Sequence, residues 1–126
     1  ALFARALDAR EAPHGMNAYS VHPGGIMTPL QRHLEKEEMV ALGWIDETGE
    51  LSAMAKQLFK SAEQGGATAA WCATDSRLSA HGGVYCEDCD IAEPFDAKTP
   101  WRGVMEHAVN AEAADRLWSA TAAMLG

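Results

Sequence analysis

The sequence predicts an α/β fold, because two short predicted strands lie among segments with helical periodicity. The first strand covers residues 17–22 and the second residues 83–86, and both are too brief to be helices. The order along the chain is helix, strand, helices, helix, strand, helix, which is typical of α/β proteins. Two strands make a poor sheet alone, so we expect the complete sheet to need strands that this sequence does not contain.

The first predicted helix runs from residue 1 to about residue 12, where Pro13 and Gly15 end it. Its apolar face consists of Leu2, Phe3, Ala6 and Leu7. The segment begins without Met and without a capping Ser, Asp or Asn before its first turn. We therefore expect that residue 1 is not the natural beginning of the protein.

Residues 28–42 have mixed helical spacing that Gly43 interrupts, and the polar turn IDETGE and a short helical segment, LSAMAKQLF, follow. The clearest helix opens at Ser61-Ala-Glu-Gln64, a capping box in which the hydroxyl and the amide satisfy two backbone donors. Its predicted packing face consists of Ala67, Ala70 and Trp71.

After residue 75, the segment SRLSAHGG is predicted to be a loop, and the strand at 83–86 follows it. No periodic pattern is present from residue 87 to about residue 100. Asn110 is predicted to cap a final helix. The apolar side of that helix consists of Ala114, Leu117, Trp118, Ala122 and Leu125.

Composition excludes several classes of function. The 126 residues carry a net charge of -8, and Lys and Arg are scattered, so nucleic acid and anionic membranes are poor partners. No apolar run approaches the roughly 20 residues that cross a bilayer, and no secretory signal is recognisable. We expect a soluble cytoplasmic protein of one domain.

The stretch VHPGGIMTPL, residues 21–30, is the part of the sequence that most suggests a ligand-binding site. A parallel α/β sheet binds ligands at the carboxyl ends of its strands, and this stretch follows one. Gly24 and Gly25 leave the backbone bare, and the backbone of Ile26 and the hydroxyl of Thr28 suit an amide or a phosphate oxygen. On these residues alone, ordinary turn chemistry is the simpler interpretation.

The chain resembles the C-terminal half of the short-chain dehydrogenase/reductase family, in the branch of retinol-dehydrogenase-like and related bacterial oxidoreductases. The resemblance covers nearly the whole chain and rests on Pro-Gly-x-Ile-x-Thr, ALFARALDAR, SAEQGGATAAWCAT, HGGVYCEDCDIAEP and the closing helix with RLW. It implies the C-terminal part of a doubly wound parallel-sheet (Rossmann-type) fold. It also implies an NAD(P)-dependent oxidoreductase that interconverts an alcohol and a carbonyl.

By this resemblance, one loop holds the nicotinamide of NAD or NADP, residues 29–60 form a substrate lid, and residues 101–126 form a C-terminal helical extension. The implied cofactor-binding residues are Pro23, Gly24, Gly25, Ile26, Met27 and Thr28. The apolar candidates for contact with the substrate are Leu30, Met39 and Trp44, although packing of these lid residues on the body is the simpler role. A homodimer or homotetramer is implied as well.

Two parts of the family pattern are missing from this sequence. No Gly-rich nucleotide fingerprint is present, and no Tyr is followed four residues later by Lys, since Tyr19 precedes Pro23 and Tyr85 precedes Cys89. The resemblance places that catalytic pair just before Ala1, so no catalytic residue is assigned here. The alternative function is a non-catalytic dimerisation or binding module on the same scaffold.

A metal site is the third alternative. Cys86-x-x-Cys89, with Cys72 and His81, offers four zinc ligands, but no second paired motif follows. We therefore predict no metal. We also predict no disulfide, because the expected compartment is reducing and three cysteines leave one unpaired.

Overall fold

The computed structural model describes every residue from Ala1 to Gly126, and the chain divides into two compact units. The first unit comprises Ala1–His22 with Thr68–Gly126, and the second comprises Pro23–Ala67. None of the helices combines the length and the apolar character that crossing a bilayer requires.

Five α-helices and five short strands make up the regular structure. The helices are α1 (Leu2–Glu11), α2 (Lys36–Ala41), α3 (Ala53–Leu58), α4 (Ala62–Thr74) and α5 (Ala111–Leu125). The strands are β1 (Ser20–His22), β2 (Gly25–Ile26), β3 (Phe59–Lys60), β4 (Tyr85–Glu87) and β5 (Asp90–Ile91). Short 3-10 turns cover Ala12–His14, Pro29–His33, Ser76–Ala80 and Glu106–Val109.

The sheet of the first unit has the strand order β1-β4-β5. Strands β1 and β4 are parallel, with Val21 opposite Cys86, and β5 pairs with β4 in the antiparallel direction. The predicted α/β class with two parallel strands is confirmed. The second strand begins at Tyr85, two residues later than the sequence predicts.

A tight hairpin joins β4 to β5, and the prediction of no regular structure after residue 86 is wrong here. The two turn residues are Asp88 and Cys89, with φ values of 54° and 58°. A two-residue hairpin of type I′ has positive φ at both central positions, and it usually has Asn or Asp at the first and Gly at the second. Asp88 fits this pattern, but Cys89 replaces the usual Gly, so the sequence signal for the turn is incomplete although the turn geometry is the usual one.

Helices α1 and α5 pack together in the first unit. Ala6 and Ala114 are almost fully buried, which indicates close approach of the two helices. The ring of Trp118 stacks on Phe3 with 5.3 Å between centroids, and the guanidinium of Arg10 lies 4.6 Å from the Trp118 ring. Leu117, Ala122 and Leu125 are exposed, so only Ala114 and Trp118 of the apolar side predicted for this helix are packed.

The predicted helix caps are present. Asn110 Oδ1 accepts a hydrogen bond from Ala113 N at 2.8 Å, and this contact begins α5. At the start of α4, Ser61 N donates to Gln64 Oε1 at 2.9 Å and Gln64 N donates to Ser61 Oγ at 3.2 Å. Both caps arise from contacts three residues apart, which is why the sequence alone predicts them.

The packing face predicted for α4 is wrong. Ala67 and Ala70 are exposed and Trp71 is half-buried, whereas Gly65 and Thr68 are buried. The buried residues are those that need close approach or a polar partner, and the small apolar alanines face outward. In the first unit, Thr68 Oγ1 accepts a hydrogen bond from the N–H of Cys89 at 3.2 Å.

The second unit combines short helices with a small parallel sheet. Strands β2 and β3 pair in parallel, with Gly25 opposite Phe59 and Ile26 opposite Lys60. Ile45 and Ala55 are its buried apolar residues. The polar turn after Ile45 forms as predicted, and the carboxylate of Asp46 accepts hydrogen bonds from the N–H groups of residues 48 and 50.

Candidate functional site

The loop of residues 23–28 follows β1 in the chain and contains β2. Gly24 has a φ of +86°, and a Cβ there would lie 2.9 Å from Lys60 Cδ. A Cβ on Gly25 would lie 2.9 Å from Phe59 Cδ1. The absence of side chains at these two glycines therefore lets strand β3 lie directly against this loop, which is a structural role.

Ile26 connects this loop to the first turn of α4. A Cβ built on Gly65 would overlap Ile26 Cδ1 and would lie 3.6 Å from the carbonyl oxygen of Pro23. Gly65 is buried and Ile26 is half-buried. A methyl group at position 65 would therefore displace the Ile26 side chain, so glycine lets this side chain pack directly on α4.

Thr28 and Gln31 form the polar part of the loop. Gln31 Oε1 accepts hydrogen bonds from Thr28 N at 2.8 Å and from Thr28 Oγ1 at 3.2 Å. Gln31 Nε2 donates to the carbonyl oxygen of Ile26 at 3.0 Å. Thr28 Oγ1 also accepts from Leu30 N at 3.2 Å, so Thr28 caps the 3-10 turn Pro29–His33. The loop therefore binds a primary carboxamide, supplied by its own chain.

The three candidate substrate residues have different surroundings. Leu30 is 76% exposed, whereas Met39 and Trp44 are half-buried. The Trp44 ring packs edge-to-face on Phe59 with 5.8 Å between centroids. Leu30 is thus free to contact another molecule, while Trp44 already has an aromatic partner.

Met27 completes the predicted loop and is exposed, like Leu30 three residues later. Pro23 is also exposed. The six residues predicted to bind the cofactor therefore all lie in one short segment of the second unit. Three of them pack against neighbours in this unit: Gly24 against Lys60, Gly25 against Phe59 and Ile26 against Gly65.

Neither tyrosine resembles an activated base. The Tyr19 hydroxyl donates to the carbonyl oxygen of Leu78 at 2.8 Å. Burial raises the pKa of Tyr85 above its ordinary value, and the nearby carboxylate of Glu87 adds to that effect. A tyrosine that acts as a proton acceptor near neutral pH needs a lowered pKa, and the shift of Tyr85 is in the opposite direction.

The cysteines do not form a metal site. No group of three or more His, Cys, Asp or Glu side chains is arranged to hold a metal ion. Cys86 is fully buried in β4, and burial, together with a hydrogen bond from its thiol to Cys72, raises its pKa to about 12. A metal binds the thiolate, which Cys86 resists forming, and Cys89 lies exposed in the hairpin turn.

Glu87 is a buried carboxylate that the sequence did not single out. It is 5% exposed, and its Oε1 accepts a hydrogen bond from Gly103 N at 2.8 Å. Arg102 Nε lies 3.8 Å from the same oxygen. Because a Cβ on Gly103 would lie 2.9 Å from Phe95 Cα, glycine is needed at this contact. Glu87 therefore fastens the segment after β5, and it has a structural role.

Sequence reasoning missed Gln31. Its signal was present, since Thr28-Pro-Leu-Gln31 has the same Ser/Thr-x-x-Gln form as the capping box at Ser61. The contact from Gln31 to Ile26 has no such signal, because it depends on the course of β2.

Comparison with known proteins gives consistent names. The chain is 39% identical over 110 residues to a probable oxidoreductase of Streptomyces lividans, covering 86% of this chain and 36% of that protein. It is 35% identical over 120 residues to the short-chain dehydrogenase/reductase prx1 of Penicillium roqueforti, covering 94% of this chain and 33% of that protein. It is 31% identical over 125 residues to mouse (Mus musculus) retinol dehydrogenase 12, covering 99% of this chain and 33% of that protein.

The chain thus spans about a third of the length of the curated relatives it matches. No family model matches it, and no solved structure matches it. The relatives confirm the predicted resemblance: the chain is homologous to a segment of short-chain dehydrogenases/reductases. This homology implies a Rossmann-type fold, in agreement with the parallel pair β1–β4.

Proposed function

We propose that this homologue of short-chain dehydrogenases/reductases belongs to an NAD(P)-dependent oxidoreductase that interconverts an alcohol and a carbonyl. The names of its relatives support oxidoreductase chemistry in general. The bound NAD or NADP would supply or accept the hydride. In this proposal, residues 23–28 hold the nicotinamide, and residues 29–60 cover the substrate.

The observation that carries the proposal is the carboxamide held by Thr28 and Ile26. The N–H and hydroxyl of Thr28 both bind the oxygen of that group, and the carbonyl of Ile26 binds its nitrogen. Nicotinamide carries the same primary carboxamide, with one acceptor and two donors. The hydrogen-bonding groups of this loop therefore fit the carboxamide oxygen and one of its two N–H donors.

Leu30 is the candidate whose surroundings best suit contact with a substrate, because most of its side chain is exposed beside Thr28. Met39 and Trp44 would shape the apolar interior of the lid. A cytoplasmic location and assembly into a homodimer or homotetramer are further predictions from the family.

The test is a fluorescence titration of the intact protein with NADH and NADPH, followed by assays of hydride transfer with a panel of alcohols. Thr28→Val removes the hydroxyl and keeps the shape of the side chain. We expect it to weaken dinucleotide binding roughly threefold to tenfold, the usual effect of one lost hydrogen bond.

The matched control is Thr74→Val. The Thr74 hydroxyl donates to the carbonyl oxygen of Ala70 within α4, away from the loop in sequence, so dinucleotide affinity should remain that of the wild type. If the intact protein binds neither NADH nor NADPH, the proposal is wrong. If it binds one of them and transfers no hydride to or from any substrate, the binding-module alternative is favoured.

A further inference from the structure

Gln31 occupies the hydrogen-bonding groups that the proposed cofactor needs. Its Oε1 accepts hydrogen bonds from the N–H and the hydroxyl of Thr28, and its Nε2 donates to the carbonyl oxygen of Ile26. All three residues belong to the second unit. The two N–H···O bonds, at 2.8 and 3.0 Å, lie in the ordinary range, whereas the O–H···O bond from Thr28 Oγ1, at 3.2 Å, is longer than usual.

Helix capping explains only part of this arrangement. A capping box requires that the Thr28 hydroxyl and the Gln31 side chain each accept from a backbone N–H. The donation from Gln31 Nε2 to the Ile26 carbonyl lies outside that pattern, because a glutamate would cap equally well and could not make it. The amide of Gln31 is therefore matched to the loop on both its oxygen and its nitrogen.

We propose that Gln31 is an intramolecular competitor for the nicotinamide carboxamide, and that its side chain must leave Thr28 and Ile26 before the nicotinamide binds there. This inference rests on the proposed function of the loop. A carbonyl oxygen and a hydroxyl that already hold one carboxamide cannot hold a second in the same position. Gln31 therefore lowers the affinity of the free protein for the nicotinamide end of the cofactor.

The competition is specific for one end of the dinucleotide. The adenine, ribose and pyrophosphate groups have no carboxamide to place against Ile26 and Thr28. ADP-ribose, which lacks the nicotinamide, should bind equally well whether or not Gln31 is present. This difference separates displacement of Gln31 from a general change in the shape of the loop.

The experiment compares Gln31→Ala with Gln64→Ala in the intact protein by calorimetric titration with NADPH, NADH and ADP-ribose. Gln64 is the matched control, because it is also the last residue of a four-residue capping box and its hydrogen bonds are with Ser61. We expect Gln31→Ala to tighten binding of the preferred dinucleotide roughly threefold to tenfold. ADP-ribose affinity should not change in either variant, and Gln64→Ala should not tighten any ligand.

A second measurement uses the wild-type protein, so it does not depend on how well the variant folds. The side-chain NH₂ resonances of Gln31 in an isotope-labelled sample report whether its amide stays hydrogen-bonded. We expect these resonances to move to the positions of a solvent-exposed glutamine on saturation with the dinucleotide, and to stay unchanged with ADP-ribose.

The outcomes separate the two ideas. If the wild type binds the dinucleotide while Gln31→Ala binds it equally or more weakly and the Gln31 resonances do not move, Gln31 is only a cap and the competitor proposal is overturned. If no protein binds NADH or NADPH, the proposed function itself fails.

Discussion

Two adjacent glycines in α4 should respond in opposite directions to the same substitution. A Cβ on Gly65 would overlap Ile26 Cδ1 and would lie 3.0 Å from Ile26 Cγ1, whereas a Cβ on Gly66 has no atom within 4 Å. Gly65 is buried and Gly66 is exposed. The pair Gly65→Ala and Gly66→Ala therefore isolates the close approach of the helix to the loop.

The magnitude follows from two opposing effects. Replacing a helical glycine by alanine stabilises by about 0.5–1 kcal/mol where the conformation allows it, and this gain is common to Gly65 and Gly66. Inserting a methyl group into a filled contact costs about 1–3 kcal/mol. Gly66→Ala should therefore raise the free energy of unfolding by about 0.5–1 kcal/mol. Gly65→Ala should lower it by about 1 kcal/mol, since Ile26 can shift only in part.

Chemical denaturation of both variants in the intact protein measures the difference directly, because the common helix contribution cancels. The contact is then verified in an Ile26→Val background, which removes the Cδ1 that the new methyl group would meet. Gly65→Ala should cost less there, with a coupling of about 1 kcal/mol. A Gly65→Ala protein as stable as Gly66→Ala would refute the packing of Ile26 against Gly65.

Two further predictions concern the first unit. Trp118→Ala should lower the free energy of unfolding by about 2–3 kcal/mol in chemical denaturation, because it removes the stack on Phe3 and the contact with Arg10. Trp118→Phe keeps a ring and should lose less than half as much stability. Equal losses in the two variants would argue against a ring contact. Hydrogen bonds from Arg77 lower the pKa of Asp75 below its ordinary value of 3.8, so the stability it contributes is present above about pH 4 and is lost as the pH falls further. Thermal unfolding between about pH 7 and pH 2 should therefore show a wild-type advantage over Asp75→Asn that shrinks with acid, and an advantage constant across that range would contradict the ion pair.

The sequence predicted the features that depend on neighbours a few residues apart. The cap at Asn110 and the capping box at Ser61 are contacts of this kind, and both are present. The end of α1 was predicted from Pro13 and Gly15, and Gly15 indeed has the left-handed conformation, with a φ of 81°. Local chemistry decides these points, so no tertiary information was needed.

Tertiary contacts decided the points that the sequence predicted wrongly. Apolarity favoured Ala67 and Ala70 as the packing face of α4, but burial fell on Gly65 and Thr68. Glycine has no side chain to mark it as buried, and threonine is polar, so a pattern based on hydrophobicity ranks both low. Their burial comes from partners distant in sequence, Ile26 for Gly65 and Cys89 for Thr68.

The candidate site combines both kinds of information. The family resemblance selected residues 23–28, but it gave no reason to look at residue 31, which lies beyond the motif. The structure adds Gln31 because the turn after Thr28 brings residue 31 back against the loop. The Thr28 contact could have been predicted from Thr-x-x-Gln spacing, whereas the Ile26 contact required the path of β2. A homologue that keeps Thr28 and has no amide at position 31 would offer the same binding groups without the internal competitor. Its resting affinity for the nicotinamide end would then be higher for a reason that lies outside the binding motif itself.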